Sequence, residues 1–129
     1  MRFLLDTHVL LWALTAPERL SPKTLQVISS RSSELVVSAA SAWEIATKNR
    51  LGKLPQADAI VGAYQRHLSR LGVEQLPIEA EHALLAGRLD WQHRDPFDRM
   101  LAAQAMTESF TLITADAMFE GLSGLATLW

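Results

Sequence analysis

The feature that most constrains the fold is the stretch from Arg2 to Ala13, RFLLDTHVLLWA, because its hydrophobic period changes abruptly. A short apolar run ends at an acid, Asp6, and the apolar residues after Thr7 recur at helical spacing. This pattern predicts a buried strand, a tight turn and a helix. The end of the first strand is where α/β sheets bind ligands. Asp6 and Thr7 are therefore either functional or simple helix caps, since both residue types are favoured N-caps.

Further short apolar strands alternate with helical segments along the rest of the chain. This order predicts a mostly parallel sheet of four to five strands with helices on both faces, a three-layer α/β/α sandwich. The later strands are expected at Glu34–Ser38, Val73–Pro77, Phe110–Thr114 and Leu125–Leu128. No repeat or linker interrupts the 129 residues, so residues 1–129 are expected to form one domain.

Helix boundaries follow from capping residues and breakers in the sequence. Helices are expected after Asp6, from Ser21-Pro22 to Ser30, and over Ala39–Arg50, Asp58–Leu71, Glu79–Leu89 and Asp95–Glu108. The expected N-caps of the second, third and last of these helices are Ser21, Ser38 and Asp95. The apolar periodicity predicts that the following side chains face the core: Leu25, Leu84, Trp12 and Trp43. Two histidines lie on these helices. His82 is expected to be solvated on a polar face, and His8 is expected either to pack against its neighbours or to cap a helix.

Composition excludes several classes of protein. The chain has no cysteine, so neither a disulfide framework nor a thiolate metal site is possible. No signal peptide or uninterrupted apolar segment of membrane-spanning length is expected. Both observations suit a cytoplasmic protein without a membrane partner. The net charge of −2 argues against broad electrostatic adhesion to nucleic acid, although a local basic patch remains compatible with it.

Four acids occupy positions that parallel strands bring together. Asp6 and Asp116 each follow a strand, while Glu44 and Asp98 are expected in the first turns of helices. Each acid also has a structural explanation. Glu44 could pair with Lys48 on the surface, Asp6 and Asp116 could cap a helix or a turn, and Asp98 could favour the dipole of its helix. Asp95 is the alternative to Asp98 as the third acid.

Convergence of these acids would favour a metal site. Clustered carboxylates repel one another and raise one another's pKa, so a cation would stabilise the cluster. Oxygen ligands without cysteine select a hard ion such as Mg²⁺ or Mn²⁺. Such a site suits attack of water on a phosphodiester.

Three segments together give the chain a family resemblance: LLDTHVLLWAL, SAASAWEIATKNRLGKL, and RDPFDRMLAAQA followed by LITADAMF. With these motifs the sequence resembles PIN-domain ribonucleases, in particular VapC-type toxins of toxin–antitoxin pairs. The resemblance implies one or two Mg²⁺ or Mn²⁺ ions held by the matching acids, which are Asp6, Glu44, Asp98 and Asp116. It also implies supporting hydroxyls at Thr7 and Thr114, an RNA substrate, a cognate antitoxin partner and a homodimer.

Residues around these acids are candidates for RNA contact. His93, Arg94 and Arg99 flank the Asp95–Asp98 turn and either meet phosphates or are solvated and paired with Asp90 and Asp95. Trp91 either stacks on a base or is partly buried packing. Lys48 is a further candidate beside Glu44.

Other functions fit the sequence less well. A receiver domain would need an acidic pair after the first strand and a late lysine, but no lysine follows Lys53. A haloacid-dehalogenase-like phosphatase needs an acid where His8 stands, and no glycine-rich turn supports dinucleotide binding. A non-catalytic PIN module that only binds RNA or a partner stays open as the alternative.

Overall fold

In the computed structural model, which describes residues 1–129, the central strand β1 (Arg2–Leu5) lies between β2 (Glu34–Ser38) and β4 (Thr111–Ile113). The outer strands are β3 (Val73–Leu76) and β5 (Thr127–Leu128), giving the order β3-β2-β1-β4-β5. Every pairing is parallel, which confirms the predicted sheet. The carboxyl ends of β1, β2 and β4 consequently meet at one edge, called here the carboxyl edge.

Seven α-helices connect and cover the strands. They are α1 (Thr7–Thr15), α2 (Pro22–Ser29), α3 (Ala39–Arg50), α4 (Asp58–Gly62), α5 (Tyr64–Leu71), α6 (Ala80–Arg88) and α7 (Pro96–Glu108). The predicted N-caps Ser21, Ser38 and Asp95 all accept backbone hydrogen bonds from the first turns of their helices. None of the seven has both the length and the apolar character of a membrane-crossing segment.

Side chains of β1 alternate between the two faces of the sheet. Phe3 and Leu5 pack into a core formed with α1, α3, α4 and α5, whereas Leu4 packs into a second core with α7. Each core is almost fully shielded from water, and burial of such apolar area is the main stabilising contribution to a fold of this size. The chain therefore forms the expected three layers, with helices on both faces.

The buried face of α3 differs from the prediction. Ser41, Glu44 and Ile45 are buried, whereas Trp43, expected in the core, has 63% of its surface exposed. Trp43 instead packs edge-on against Phe97 of α7, with ring centroids 4.9 Å apart. The residues that looked like a solvated polar stripe face the protein because they line the carboxyl edge.

Three other predictions of helix packing were wrong. Leu25 and Leu84 are exposed, and the buried positions beside them belong to Thr24 and His82. The expected helix over 58–71 is broken at Ala63, directly after Gly62, a residue that destabilises helix interiors. In short helices with few apolar residues, the pattern fixes the buried face poorly, and polar partners then decide it.

His82 shows how a polar partner sets the face of α6. Its Nδ1 accepts the backbone N–H of Glu79 at 3.0 Å, so the ring proton lies on Nε2, which is 2.9 Å from Glu108 Oε1. Gln104 of α7 also approaches the ring, at 3.4 Å from Nδ1. His82 therefore connects α6 to α7 through hydrogen bonds. It is buried, contrary to the expectation that it would be solvated.

Candidate metal centre

Asp6 is held at the carboxyl edge by the neighbouring strand. Its backbone N–H donates to Ile113 at 3.0 Å, and its Oδ2 accepts a 2.8 Å hydrogen bond from Thr114 Oγ1. Although Asp6 stands at the N-cap position of α1, its side chain makes no capping hydrogen bond. Capping therefore does not explain this carboxylate, which is 4% exposed and whose pKa is raised by burial.

Glu44 reaches the same edge from the second turn of α3. It is 2% exposed, and its Oε2 accepts a hydrogen bond from Lys48 Nζ. The other oxygen, Oε1, is buried and has no hydrogen-bond partner. An unpaired buried carboxylate oxygen is strongly unfavourable, and a cation at this atom would relieve the penalty.

Asp98 comes from the first turn of α7. The Asp95 carboxylate accepts the backbone N–H groups of Phe97 and Asp98, at 2.8 and 3.2 Å, and so fixes the start of the helix. The Asp98 side chain is free of that capping role and lies 2.7 Å from His93 Nε2. Asp95 thus acts as the cap, and Asp98 presents the carboxylate.

Electrostatic coupling shows that these groups share one environment. Burial raises the pKa of Asp98 to about 6, and the negative charges of Asp6, Asp95 and Glu44 add to that increase. Burial alone would lower the pKa of Lys48, but its hydrogen bond to Glu44 and the nearby acids raise it instead. Asp6, Glu44 and Asp98 are therefore called the acid cluster.

Asp116 borders the acid cluster from the β4 side. Thr114 Oγ1 accepts the Asp116 backbone N–H at 3.0 Å while donating to Asp6, which links the two segments. The Asp116 carboxylate is exposed and caps the backbone N–H of Met118 at 2.9 Å. Asp6 and Asp116 line one cavity of about 230 Å³, so the fourth acid stands at an open side of the site.

A second group of possible metal ligands lies away from the acid cluster. Ligand atoms of Glu81, His82 and Glu108 lie within 4.8 Å of one another, whereas the acids of the cluster are spread more widely. His82 has both ring nitrogens engaged in internal hydrogen bonds, so it offers no free lone pair to a metal. The acid cluster has the better donor set, since it consists of oxygens and includes the unpartnered Glu44 Oε1.

The supporting residues have structural partners. Thr7 Oγ1 and Ser41 Oγ share a 2.8 Å hydrogen bond that joins the starts of α1 and α3 below the acid cluster. Ser41 carried no recognisable sequence signal beyond its position one turn before Glu44. Trp91 is half-buried and packs on Phe119 and His93, at ring-centroid distances of 5.6 and 5.0 Å, which favours the packing interpretation.

The two arginines near α7 differ. Arg99 donates to the backbone carbonyls of four residues at 2.7–2.9 Å, namely Ala86, Leu89, Trp91 and His93. Its expected alternatives were phosphate contact or pairing with acids, and the structure gives it a third role, fixing the α6–α7 loop. Arg94 is exposed and remains a candidate for RNA contact.

An apolar cavity that the sequence did not predict lies beside the acid cluster. It has a volume of about 230 Å³, and Trp43, Phe97, Ile78 and Met100 are among the residues that line it. Trp43 and Phe97 are the sequence neighbours of Glu44 and Asp98 on the same two helices, although neither carboxylate lines the cavity. The sequence did not predict this cavity because Trp43, which lines it, was expected in the core.

Comparison with known proteins agrees with this architecture. The PIN domain family matches residues 3–125, and no curated protein matches the chain. Three similar solved structures cover nearly the whole chain. VapBC2 of Rickettsia felis bound to promoter DNA has a TM-score of 0.70 and 15% sequence identity, and the match covers 99% of this chain and 98% of that chain. DNA-bound VapBC of Salmonella typhimurium has a TM-score of 0.71 and 18% identity, with 99% of this chain and 97% of that chain covered. A toxin–antitoxin complex of Klebsiella pneumoniae has a TM-score of 0.61 and 16% identity, with 96% of this chain and 95% of that chain covered.

At these identities the solved structures show a common fold. The family match is a separate finding, because it extends over nearly the whole sequence and includes all four predicted acids. The chain belongs to the PIN domain family.

Proposed function

We propose that this protein is a metal-dependent endoribonuclease that hydrolyses RNA phosphodiester bonds at the acid cluster. The observation that carries the proposal is the burial of Asp6 and Glu44 at one edge of the sheet, beside the half-buried Asp98, with Glu44 Oε1 unpartnered. A solvent-excluded group of acids without a cation destabilises a fold, which suggests that function has retained it. Family membership supports the same reading.

Asp6, Glu44 and Asp98 would hold the metal, with Asp116 at the open side, and Mg²⁺ or Mn²⁺ fits such oxygen donors. A bound divalent cation supplies Lewis acidity toward a phosphate and an activated water. The protein's own groups orient the ligands: Thr114 fixes Asp6 and His93 fixes Asp98 through hydrogen bonds of 2.8 and 2.7 Å. Such outer contacts normally position metal ligands and tune them.

RNA cleavage with purified protein tests the proposal. Wild-type protein should cleave single-stranded RNA in Mn²⁺ or Mg²⁺ and stop when EDTA is added. Asp6→Asn should lose at least about a hundredfold in rate, as expected when a metal ligand or its support is removed. Glu81→Gln, in the unrelated carboxylate group, is the matched control and should retain full activity. Equal cleavage by folded Asp6→Asn protein would contradict the proposal and favour the alternative of a binding module.

We also propose that an antitoxin protein restrains this enzyme. Support comes from the similar VapBC and toxin–antitoxin structures and from the apolar cavity next to the acid cluster. A partner segment could bury apolar side chains against Trp43 and Phe97, as helices do in hydrophobic grooves. From there an Arg or Lys of the partner could reach the carboxylates and form charge-assisted hydrogen bonds.

The inhibition mechanism is testable on the complex. Replacing the basic residues of the antitoxin's C-terminal segment by Ala should restore RNA cleavage while the two proteins remain associated. Trp43→Ala in the enzyme should instead weaken association itself. Complete inhibition by an antitoxin segment without basic residues would exclude charge blocking of the site.

A further inference from the structure

Two cavities meet on the exposed side of α1. The first, about 230 Å³, contains Asp6 and Asp116, and the second, about 440 Å³, extends to Arg19 in the short helix Pro17–Arg19. His8 and Trp12 line both cavities. The two cavities, which share these two lining residues, are together called the α1 groove; it extends from Asp6 and Asp116 along the first helix to Arg19.

The floor of the α1 groove is aromatic and cationic. The Arg19 guanidinium lies 4.4 Å from the centroid of the Trp12 ring, and the His8 ring lies 6.2 Å from Trp12. His8 and Trp12 are four residues apart on α1, so they share a helix face. His8 is exposed rather than packed. Trp12 packs against the core, as expected, but is only half-buried, so part of its ring faces the groove.

The larger cavity has the chemistry of a nucleic-acid groove. Thr15 and Gln56 add polar groups to its wall, and no carboxylate lines it. Single-stranded nucleic acid binds to proteins through a cationic track combined with aromatic rings on which bases stack. Arg19 stacked on Trp12 provides both elements on one surface.

The apolar cavity on the other side of the acid cluster is a poorer RNA site. Trp43, Phe97 and Ile78 dominate its wall. Of its two arginines, Arg99 is already bound to four backbone carbonyls, which leaves only the exposed Arg94 for a phosphate. That side suits an apolar protein segment. The anionic strand is better matched by the α1 groove.

Building on the proposed ribonuclease function, we infer that the RNA strand adjoining the scissile phosphate runs along the α1 groove. A base stacks on the Trp12–Arg19 platform, and a phosphate lies near His8 and Arg19. The acid cluster then handles the scissile phosphate, while the groove fixes the neighbouring nucleotides. Substrate and inhibitor occupy opposite sides of the acid cluster.

Binding of a short fluorescein-labelled single-stranded RNA, followed by anisotropy, tests this inference. An Asp98→Asn background prevents cleavage during the measurement. Trp12→Leu should weaken binding about five- to tenfold, and Trp12→Phe should recover most of the loss because it keeps a stacking ring. Arg19→Gln should weaken binding and make its salt dependence shallower by about one phosphate contact. Arg31→Gln, an exposed arginine before β2, should bind as the background protein does.

The outcomes separate this inference from the proposed function. If the wild-type protein cleaves RNA and both Trp12→Leu and Arg19→Gln bind RNA with unchanged affinity, the groove assignment is wrong and the nuclease proposal stands. If the wild-type protein neither binds nor cleaves RNA, both the groove assignment and the nuclease proposal are wrong. Should Trp12→Leu fail to fold, the salt dependence of exposed Arg19→Gln decides, and an unchanged slope overturns the inference.

Discussion

Burial of the acid cluster destabilises the metal-free protein. Asp6 and Glu44 are nearly inaccessible to water, and Asp98 adds a third negative charge to the same environment. Lys48 compensates only in part, because it pairs with one oxygen of Glu44 and leaves the other unpaired. Single-residue changes should therefore alter stability and metal affinity in opposite directions.

The raised pKa of Asp98 predicts that the free energy of unfolding of the metal-free protein falls as the pH rises. Its folded-state pKa of about 6 exceeds the ordinary 3.8, so above about pH 4 the unfolded chain releases its proton first. Stability of the metal-free protein should decline from about pH 4 to about pH 6 by on the order of 2 kcal/mol. Urea denaturation in EDTA measures this decline. Asp98→Asn should show a smaller one, and parallel pH profiles for the two proteins would exclude Asp98 as the cause.

Lys48 predicts opposite effects on folding and on metal binding. Lys48→Gln removes the only partner of Glu44, so unfolding free energy without metal should fall by about 1–3 kcal/mol. The same change removes a positive charge from the cluster, so half-maximal thermal stabilisation should need less Mn²⁺. Exposed Lys53→Gln is the matched control. A higher Mn²⁺ requirement for Lys48→Gln would show that the lysine supports the metal site.

At the level of elements, the loop between α6 and α7 determines where Asp98 lies. This loop has no regular structure between Leu89 and Asp95, and its carbonyls converge on the guanidinium of Arg99. His93, which contacts Asp98, belongs to this same loop. Arg99 therefore fixes the loop segment that carries His93 and, through His93, the Asp98 carboxylate.

Arg99 should resist conservative replacement. Lysine keeps the charge but lacks the planar guanidinium group that donates to several carbonyls at once. The free energy of unfolding of Arg99→Lys should therefore be lower by about 2–4 kcal/mol, and the loop should be less ordered. Hydrogen exchange should become faster in the segment from 89 to 95 while the strands stay protected. Arg94→Lys, at an exposed position nearby, should leave the exchange pattern unchanged. Wild-type protection in Arg99→Lys would contradict the structural role.

Local signals predicted the elements well and the buried faces less well. The sheet, the caps at Ser21, Ser38 and Asp95, and the span of α3 agree with expectation, because each depends on neighbours in sequence. Trp43 was expected in the core because the hydrophobic pattern alone predicts the buried face of α3. The face is in fact set by the carboxyl edge, which needs Glu44 inside.

The candidate site was predictable in its members but not in its arrangement. Placement of acids after strands and at helix starts depends on chain topology, and Asp6 and Asp98 lie at the expected positions. Glu44 lies in the second turn of α3 rather than the first, and its carboxylate still reaches the same environment. The unpartnered Glu44 oxygen, the four-carbonyl role of Arg99 and the burial of His82 arise from contacts between distant segments. No local pattern encodes such contacts.

The whole molecule assembles its acids from segments far apart in the chain. β1, α3, α7 and the turn after β4 each deliver one carboxylate to the carboxyl edge, and the parallel sheet holds these segments in register. The apolar cavity and the α1 groove lie on either side. Metal binding should therefore couple directly to the stability of the whole fold.

Titration calorimetry with Mn²⁺ tests the central claim most directly. The wild-type protein and Glu81→Gln should bind Mn²⁺ alike, whereas Asp6→Asn combined with Asp98→Asn should abolish binding while remaining folded by circular dichroism. That double variant should also melt no lower than the wild type in EDTA, since it removes one buried and one half-buried carboxylate that repel each other. Undiminished binding by the double variant, or loss of binding in Glu81→Gln, would show that the acid cluster is not the metal centre.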